Sequence, residues 1–334
     1  MYSRRGMGGR GYWKEEALMT NRMTSQDSKT EPRKPQLTDF CRYKVCDSYC
    51  NPPSVADIPD GGRHRLSRRQ LEELDACLKA QDKEALLAIQ RHRYLMTGQV
   101  QRLVFMEAVT STAALRAASR CLKKLKELGL IDTLSRRIGG VRAGSSSLIW
   151  YLSHAGERLL RLHDQKEAAN RRFFEPSPYF LAHTLAVAEV SIQLTELCRK
   201  HQMELTELQQ EPECWRSYSD RGICLSLKPD LYAITVSGEY EDRWFLEIDL
   251  DTESPTKVIE KCRRYHQYYR SGLEQKESGV FPLTVWIVPD IDRKQHLLEH
   301  IRAAFDKQPR LFAVITADEL EELICQGGEG DMLC

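Results

Sequence analysis

Two short segments carry the side chains best suited to chemistry. Lys228-Pro229-Asp230 lies within a largely apolar run, Leu225 to Ile234, and Glu247 and Asp249 lie within the next, Trp244 to Leu250. Both runs read as strands. Side chains alternate along a strand, so Glu247 and Asp249 project from one side while Leu246, Ile248 and Leu250 project from the other. Carboxylates on adjacent strands can converge on one divalent cation, because hard cations such as Mg²⁺ take oxygen ligands. Asp230 and Glu247 are the expected metal ligands, and the chemistry expected of them is phosphodiester cleavage. Further along, Lys257 and Lys261 recur at i, i+4, followed by Arg264, Tyr265 and Tyr268. A lysine reaching the carboxylates from that helix would position water or stabilise charge on the attacked phosphate. Glu189 sits one helical turn from both Leu185 and Ile192, which places a carboxylate on an apolar stripe.

Plainer readings stand beside these. Glu189 can pair with a basic side chain of a neighbouring element, and Lys257, Lys261 and Arg264 can hold a phosphate backbone without cutting it. The tyrosines of the same helix suit a DNA-nicking nucleophile or, more simply, a core. No two histidines stand at i, i+2, and no G-x-x-x-x-G-K-[ST] phosphate loop occurs.

The elements that must position these groups follow from periodicity. Residues 1–63 are rich in Arg, Gly, Pro, Ser and Thr, a composition that cannot bury enough surface to offset chain entropy. From Leu66 the pattern is helical: Leu66 to Leu78, then Lys83 to Tyr94 with Ala85, Leu86, Leu87 and Ile89 inward. Thr97 to Phe105 reads as a third helix and Thr112 to Leu128 as a fourth, ended by Gly129. Two extended runs, Ile131 to Arg137 and Leu148 to Leu152, flank a Gly/Ser turn, and a helix from Ala155 to Leu162 closes the set. That outline, over residues 64–163, is a winged helix-turn-helix. After a polar linker, 164–177, an apolar helix (Tyr179 to Arg199) precedes strands at Glu204–Gln209, Leu225–Val236 and Arg243–Leu250. Pro255 favours a helix from Ser254 to about Arg270. A buried strand (Leu283–Val288), a helix (Lys294–Phe305), a strand (Leu311–Ile315) and a final helix (Asp318–Ile324) complete an α/β domain over 178–326. The fold class is thus mixed α/β (α+β) in two domains.

In the fourth helix Leu115, Ala118, Leu122 and Leu125 form one stripe, while Arg116, Arg120, Lys123 and Lys124 lie on the other side. Residues 111–142 hold eight Lys/Arg against two acidic side chains, although the 334-residue chain has a net charge of only +1. A helix with one apolar and one basic face suits a phosphate-lined major groove of double-stranded DNA. Arg136, Arg137 and Arg142 around the glycine turn would reach a flanking backbone or minor groove. Such residues predict phosphate contacts rather than base contacts, so no target sequence follows.

Composition bounds the rest. A charged fraction of 29% is ordinary for a soluble protein, and no apolar run is long enough to span a bilayer. The first ten residues lack the apolar core of a secretory signal. The eleven cysteines are scattered and odd in number. The one local group, Cys41, Cys46 and Cys50, matches no common zinc spacing. A cytoplasmic protein with reduced thiols is expected.

The order of motifs resembles the replication-relaxation family of plasmid and integrative-element proteins. The matching pieces are Arg120-Cys-Leu-Lys-Lys-Leu-Lys-Glu-Leu-Gly-Leu130, Arg136-Arg-Ile-Gly-Gly140 with Ala143-Gly144, and Tyr151-Leu-Ser-His-Ala-Gly156. His183-Thr-Leu-Ala-Val-Ala-Glu189, Lys228-Pro-Asp230, Phe245-Leu-Glu-Ile-Asp-Leu250, Lys261 and Tyr265 follow. The second domain is also similar to the PD-(D/E)XK nuclease-like superfamily. That resemblance implies Mg²⁺ as cofactor and Glu189 as an acid pointing at the same metal. It places a lysine where this chain has Asp249, so Asp249→Lys would restore the usual pattern unless Lys257 or Lys261 already fills the role. Replication or transfer proteins are the implied partners. Two functions stand open: a metal-dependent endonuclease or nickase, and a non-catalytic replication or transcription regulator on the same scaffold.

Overall fold

A computed structural model describes residues 66–134, 148–162, 175–306 and 310–327. They form two compact units that divide between Leu194 and Thr195.

The first unit is built from α1 (Arg68–Cys77), α2 (Ala80–His92), β1 (Leu95–Met96), α3 (Thr97–Val104), α4 (Ser111–Glu127), β2 (Ile131–Thr133), β3 (Ile149–Leu152) and α5 (His154–Leu160). Thr110 opens α4 by accepting the Ala113 N–H at 3.2 Å. Ala114, Ala118, Cys121, Leu122 and Leu125 recur on one face of α4 and are buried. They share a core with Leu86, Ile89, Leu95, Val100, Ile131 and Trp150. Gly129, at φ +73°, ends the helix. Its N–H donates to Lys126 O (2.9 Å) and that of Leu130 to Leu125 O (3.0 Å), the paired bonds of a Schellman turn. The three strands are antiparallel in the order β1-β3-β2.

Three details differ from the periodicity reading. The two-residue β1 was not expected. Leu115 and Leu87, each assigned to an apolar stripe, are 40% and 52% exposed. Both lie about 100° of helix rotation away from a buried neighbour, Ala114 and Leu86, that continues the stripe instead.

The second unit takes the end of α6 (Pro178–Lys200), then β4 (Glu204–Gln210), β5 (Arg216–Asp220), β6 (Ile223–Leu227), β7 (Leu231–Ser237) and β8 (Tyr240–Ile248). Next come α7 (Pro255–Ser271), α8 (Leu273–Ser278), β9 (Leu283–Val288), α9 (Ile291–Phe305), β10 (Phe312–Thr316) and, after a 3₁₀ turn, α10 (Leu320–Gln326). A five-stranded sheet runs β10-β9-β8-β7-β4. The β8–β9 and β9–β10 pairs are parallel, and β7–β8 and β4–β7 are antiparallel. Tyr232, Phe245, Trp286, Val288, Phe312 and Val314 from one sheet face share a core with Val258, Ile259, Cys262 and Tyr265 of α7 and with Leu297, Ile301 and Phe305 of α9. At roughly 1.5–3 kcal/mol for each fully buried large apolar side chain, this face is what holds α7 against the sheet.

The expected single strand from Leu225 to Val236 is two. It breaks at Lys228-Pro229-Asp230, where Pro229 offers no N–H to a ladder. Before the break β6 pairs with β5, and after it β7 pairs with β4 and β8. Asp230 therefore lies just ahead of β7 and not within a strand.

Candidate active site and nucleic-acid interface

Asp230 precedes Leu231, which pairs with Leu246, so Asp230 falls beside Glu247 at the same end of the β7–β8 ladder. Its Oδ2 accepts the Ile248 N–H at 2.8 Å. Glu247 is fully buried on the sheet face that carries α7. The hydroxyl of Tyr265 donates to Glu247 Oε1 and the ammonium of Lys261 to Oε2. Both donors lie on α7 four residues apart, so one helix face delivers them together. Burial raises the Glu247 carboxyl from its ordinary 4.5 to about 8; Lys261 opposes the rise and Asp230 adds to it. Burial works against the Lys261 charge, but Glu247 and Asp230 outweigh it and hold the ammonium protonated. Tyr265 is pushed well above the ordinary tyrosine range by burial and by Glu247. The Lys261 side chain remains 27% exposed, whereas that of Glu247 is buried.

The other expected site residues have different surroundings. Asp249 shares the Glu247 side of β8, as alternation requires, but its Oδ2 accepts Arg293 Nε of α9 at 2.7 Å. Arg293 also donates to Glu253 O (2.7 Å) and pairs with Asp251 (3.1 Å), fastening the loop that follows β8. Lys257 is exposed one turn ahead of Lys261. Glu189 belongs to the first unit. Its buried carboxylate takes Arg102 Nη1 at 2.5 Å, Gln99 Nε2 at 3.2 Å and Gln193 Nε2 at 3.1 Å. Gln99 also reaches Leu185 O at 3.1 Å, so α3 grips α6 at two successive turns.

A cation is judged by the donors. Two carboxylates, with water and substrate phosphate completing the shell, are a usual set for Mg²⁺. Asp230 and Glu247 are two such carboxylates, with both Glu247 oxygens engaged by Lys261 and Tyr265 and one Asp230 oxygen by the Ile248 N–H. Among the described residues no group of three or more His, Cys, Asp or Glu side chains gathers to hold a metal.

The partners Arg102, Gln99 and Arg293 escaped the sequence reading. Arg293 carried a signal, since Arg293, Leu297 and Ile301 follow one another at i, i+4, i+8 and all three are buried. Arg102 carried none, because its partner lies eighty-seven residues away.

In the first unit, Arg116, Arg120 and Lys123 are exposed along the outer face of α4, with Thr112, Leu115 and Ser119 between them. Lys124 is turned toward α2, where its ammonium meets Asp82 Oδ2 at 2.5 Å. Asp82 also accepts the Lys79 N–H at 3.0 Å and the Cys121 thiol at 3.3 Å. Burial pushes that thiol up to about 12, so it stays a donor. Lys124 thus fastens α4 to α2. Arg136, Arg137 and Arg142, like Cys41, Cys46 and Cys50, lie outside the described residues.

Residues 86–284, more than half of the chain, match the replication-relaxation family. The chain belongs to the replication-relaxation family. Membership points to a role in replication or relaxation of mobile elements. The family match takes in α4, Glu189, Asp230, Glu247 and Lys261 but stops short of Arg293. No curated protein and no solved structure matches the chain. No described helix of this replication-relaxation protein is long and apolar enough to cross a membrane.

Proposed function

We propose that this is a DNA-binding protein of a mobile element, with a winged helix in its first unit and a metal-dependent nicking site in its second. The observation that carries the catalytic half is the Lys261 ammonium on Glu247, with Asp230 beside it. This supplies two acids and a lysine, although the strand position that carries lysine in nuclease-like folds holds Asp249. Support for the DNA-binding half is the exposed row Arg116, Arg120 and Lys123 on the fourth helix of a unit with a three-stranded antiparallel sheet.

In this reading Asp230 and Glu247, once ionised, would hold Mg²⁺, which would supply Lewis-acid activation of the phosphodiester and of water. Lys261 leaves Glu247 to stabilise charge on the attacked phosphate. Tyr265 keeps donating to Glu247 Oε1 and so orients the carboxylate. The exposed Lys257 takes a neighbouring phosphate. Duplex DNA is the substrate class, and replication or transfer proteins of the element are the partners.

A second reading, a non-catalytic regulator, draws on the inaccessibility of Glu247, whose two oxygens are both occupied by internal donors. A supercoiled-plasmid assay with Mg²⁺ separates them, using DNA of the element itself. Nicking by the wild-type protein that vanishes in Asp230→Ala and Glu247→Ala is expected. Equal relaxation by wild type and Glu247→Ala would assign the cutting to a contaminant and leave the regulator.

A further inference from the structure

Trp215 is 38% exposed at the start of the β5–β6 hairpin, yet its backbone is tightly held. Its N–H donates to Pro212 O at 3.1 Å, and Arg216 Nη1 grips Cys214 O at 3.0 Å. Arg216 is itself fixed by Glu274 at 2.7 Å, with its guanidinium 4.5 Å from the centre of the Tyr232 ring. The fully buried Cys214 donates its thiol to Pro229 O at 3.0 Å. One turn therefore carries Trp215 and is tied to the loop that carries Asp230. From that same loop Lys228 places its ammonium 4.1 Å from the centre of the Trp215 indole. The hairpin beside it exposes Ser217, Ser219 and Ser226, with Ser217 and Ser226 directly paired. Side chains this small let an extended polymer approach closely.

The Lys228 ammonium lies over one face of this half-exposed indole, so a base stacks on the ring surface that the ammonium leaves uncovered, with the ammonium at hand for its phosphate. Every nucleobase offers a face to such a ring, but in a duplex those faces are covered by neighbouring bases. Glu213 is exposed two residues before Trp215, so the surface is not a basic patch and stacking must supply most of the affinity. We infer that Trp215 and Lys228 form a rest for one unpaired DNA strand beside the Asp230–Glu247 carboxylates. One base stacks on Trp215 and its phosphate meets Lys228. The inference rests on the second unit acting on DNA, and it adds that the substrate there is locally melted.

The test is fluorescence anisotropy with the full chain, using labelled oligothymidylate of about 16 nucleotides and a duplex of the same length. Trp215→Ala should weaken single-strand binding about tenfold, with duplex binding on α4 held. Trp215→Phe should restore most of the loss, and Lys228→Ala should weaken single-strand binding to a smaller degree. Unchanged single-strand affinity in Trp215→Ala would overturn the inference, and so would an equal loss on both probes, which would report damage to the fold. The plasmid assay fails independently. A single-strand loss in Trp215→Ala with no nicking by the wild-type protein would support the rest and remove only the catalytic reading.

Discussion

Glu247 is inaccessible while its partner Lys261 is partly exposed. Burial raises its carboxyl from the ordinary 4.5 to about 8, so over that window the Glu247–Lys261 pair holds a proton that an unfolded chain has lost. The stability this group adds is therefore full below the ordinary value and lost as pH rises toward 8. Glu247→Gln should flatten the fall in unfolding free energy over that window, measured by denaturant titration at several pH values. Parallel slopes in variant and wild type would place the titration elsewhere. Asp249 teaches the opposite lesson. It stands on the same side of β8, yet Arg293 holds it, so Asp249→Lys would set two buried cations together. A loss of about 3–5 kcal/mol is expected and, on the role proposed for Lys261, no gain in nicking. A variant as stable as wild type would show that the Asp249–Arg293 pair contributes nothing to the fold.

Elements whose limits are written locally were legible in the sequence. Gly129 closes α4 through two backbone bonds, and Pro255 opens α7. Alternation in β8 assigned Glu247 and Asp249 to one side. What stayed hidden depends on distant partners. The two residues of β1 exist because β3 pairs with them, and the sequence RSYSD of β5 becomes a strand by pairing with β6 and burying Tyr218. Likewise, nothing local to Glu189 names Arg102, so an acid on an apolar stripe read equally well as a metal ligand. Gly156 is a local residue with a distant cause. A Cβ there would stand 2.0 Å from Leu130 O, where α5 starts against the end of α4. Ser153 reinforces that junction by donating to Gly129 O at 2.5 Å. Gly156→Ala should cost about 3 kcal/mol, read as an earlier thermal or denaturant midpoint, because the obstructing atom is backbone and cannot turn aside. A midpoint within error of wild type would show that α5 shifts freely.

At the scale of the whole molecule, a net charge of +1 gives no general attraction for DNA. Any affinity must come from charge gathered locally, and within the first unit the described part of that charge is the outer face of α4. Arg116 and Arg120 are exposed there, and Lys123 meets Glu127, at 3.9 Å, across an exposed pair. Lys124 pairs with Asp82, so it helps to hold α4 against α2 although its side chain is 41% exposed. Each lysine or arginine that neutralises a phosphate releases counterions, which makes binding fall as salt rises. Replacing Arg116, Arg120 and Lys123 together with alanine should weaken duplex binding and reduce the slope of log affinity against log salt by up to about 2.7. Lys124→Ala should act differently. It removes the partner of a buried carboxylate, so it should lower stability first and leave the salt slope of the remaining folded protein close to wild type. Titrations at several salt concentrations, with unfolding curves on the same samples, separate the two. A slope unchanged in the triple variant would take α4 out of the interface, and a slope reduced by Lys124→Ala alone would return that lysine to the DNA.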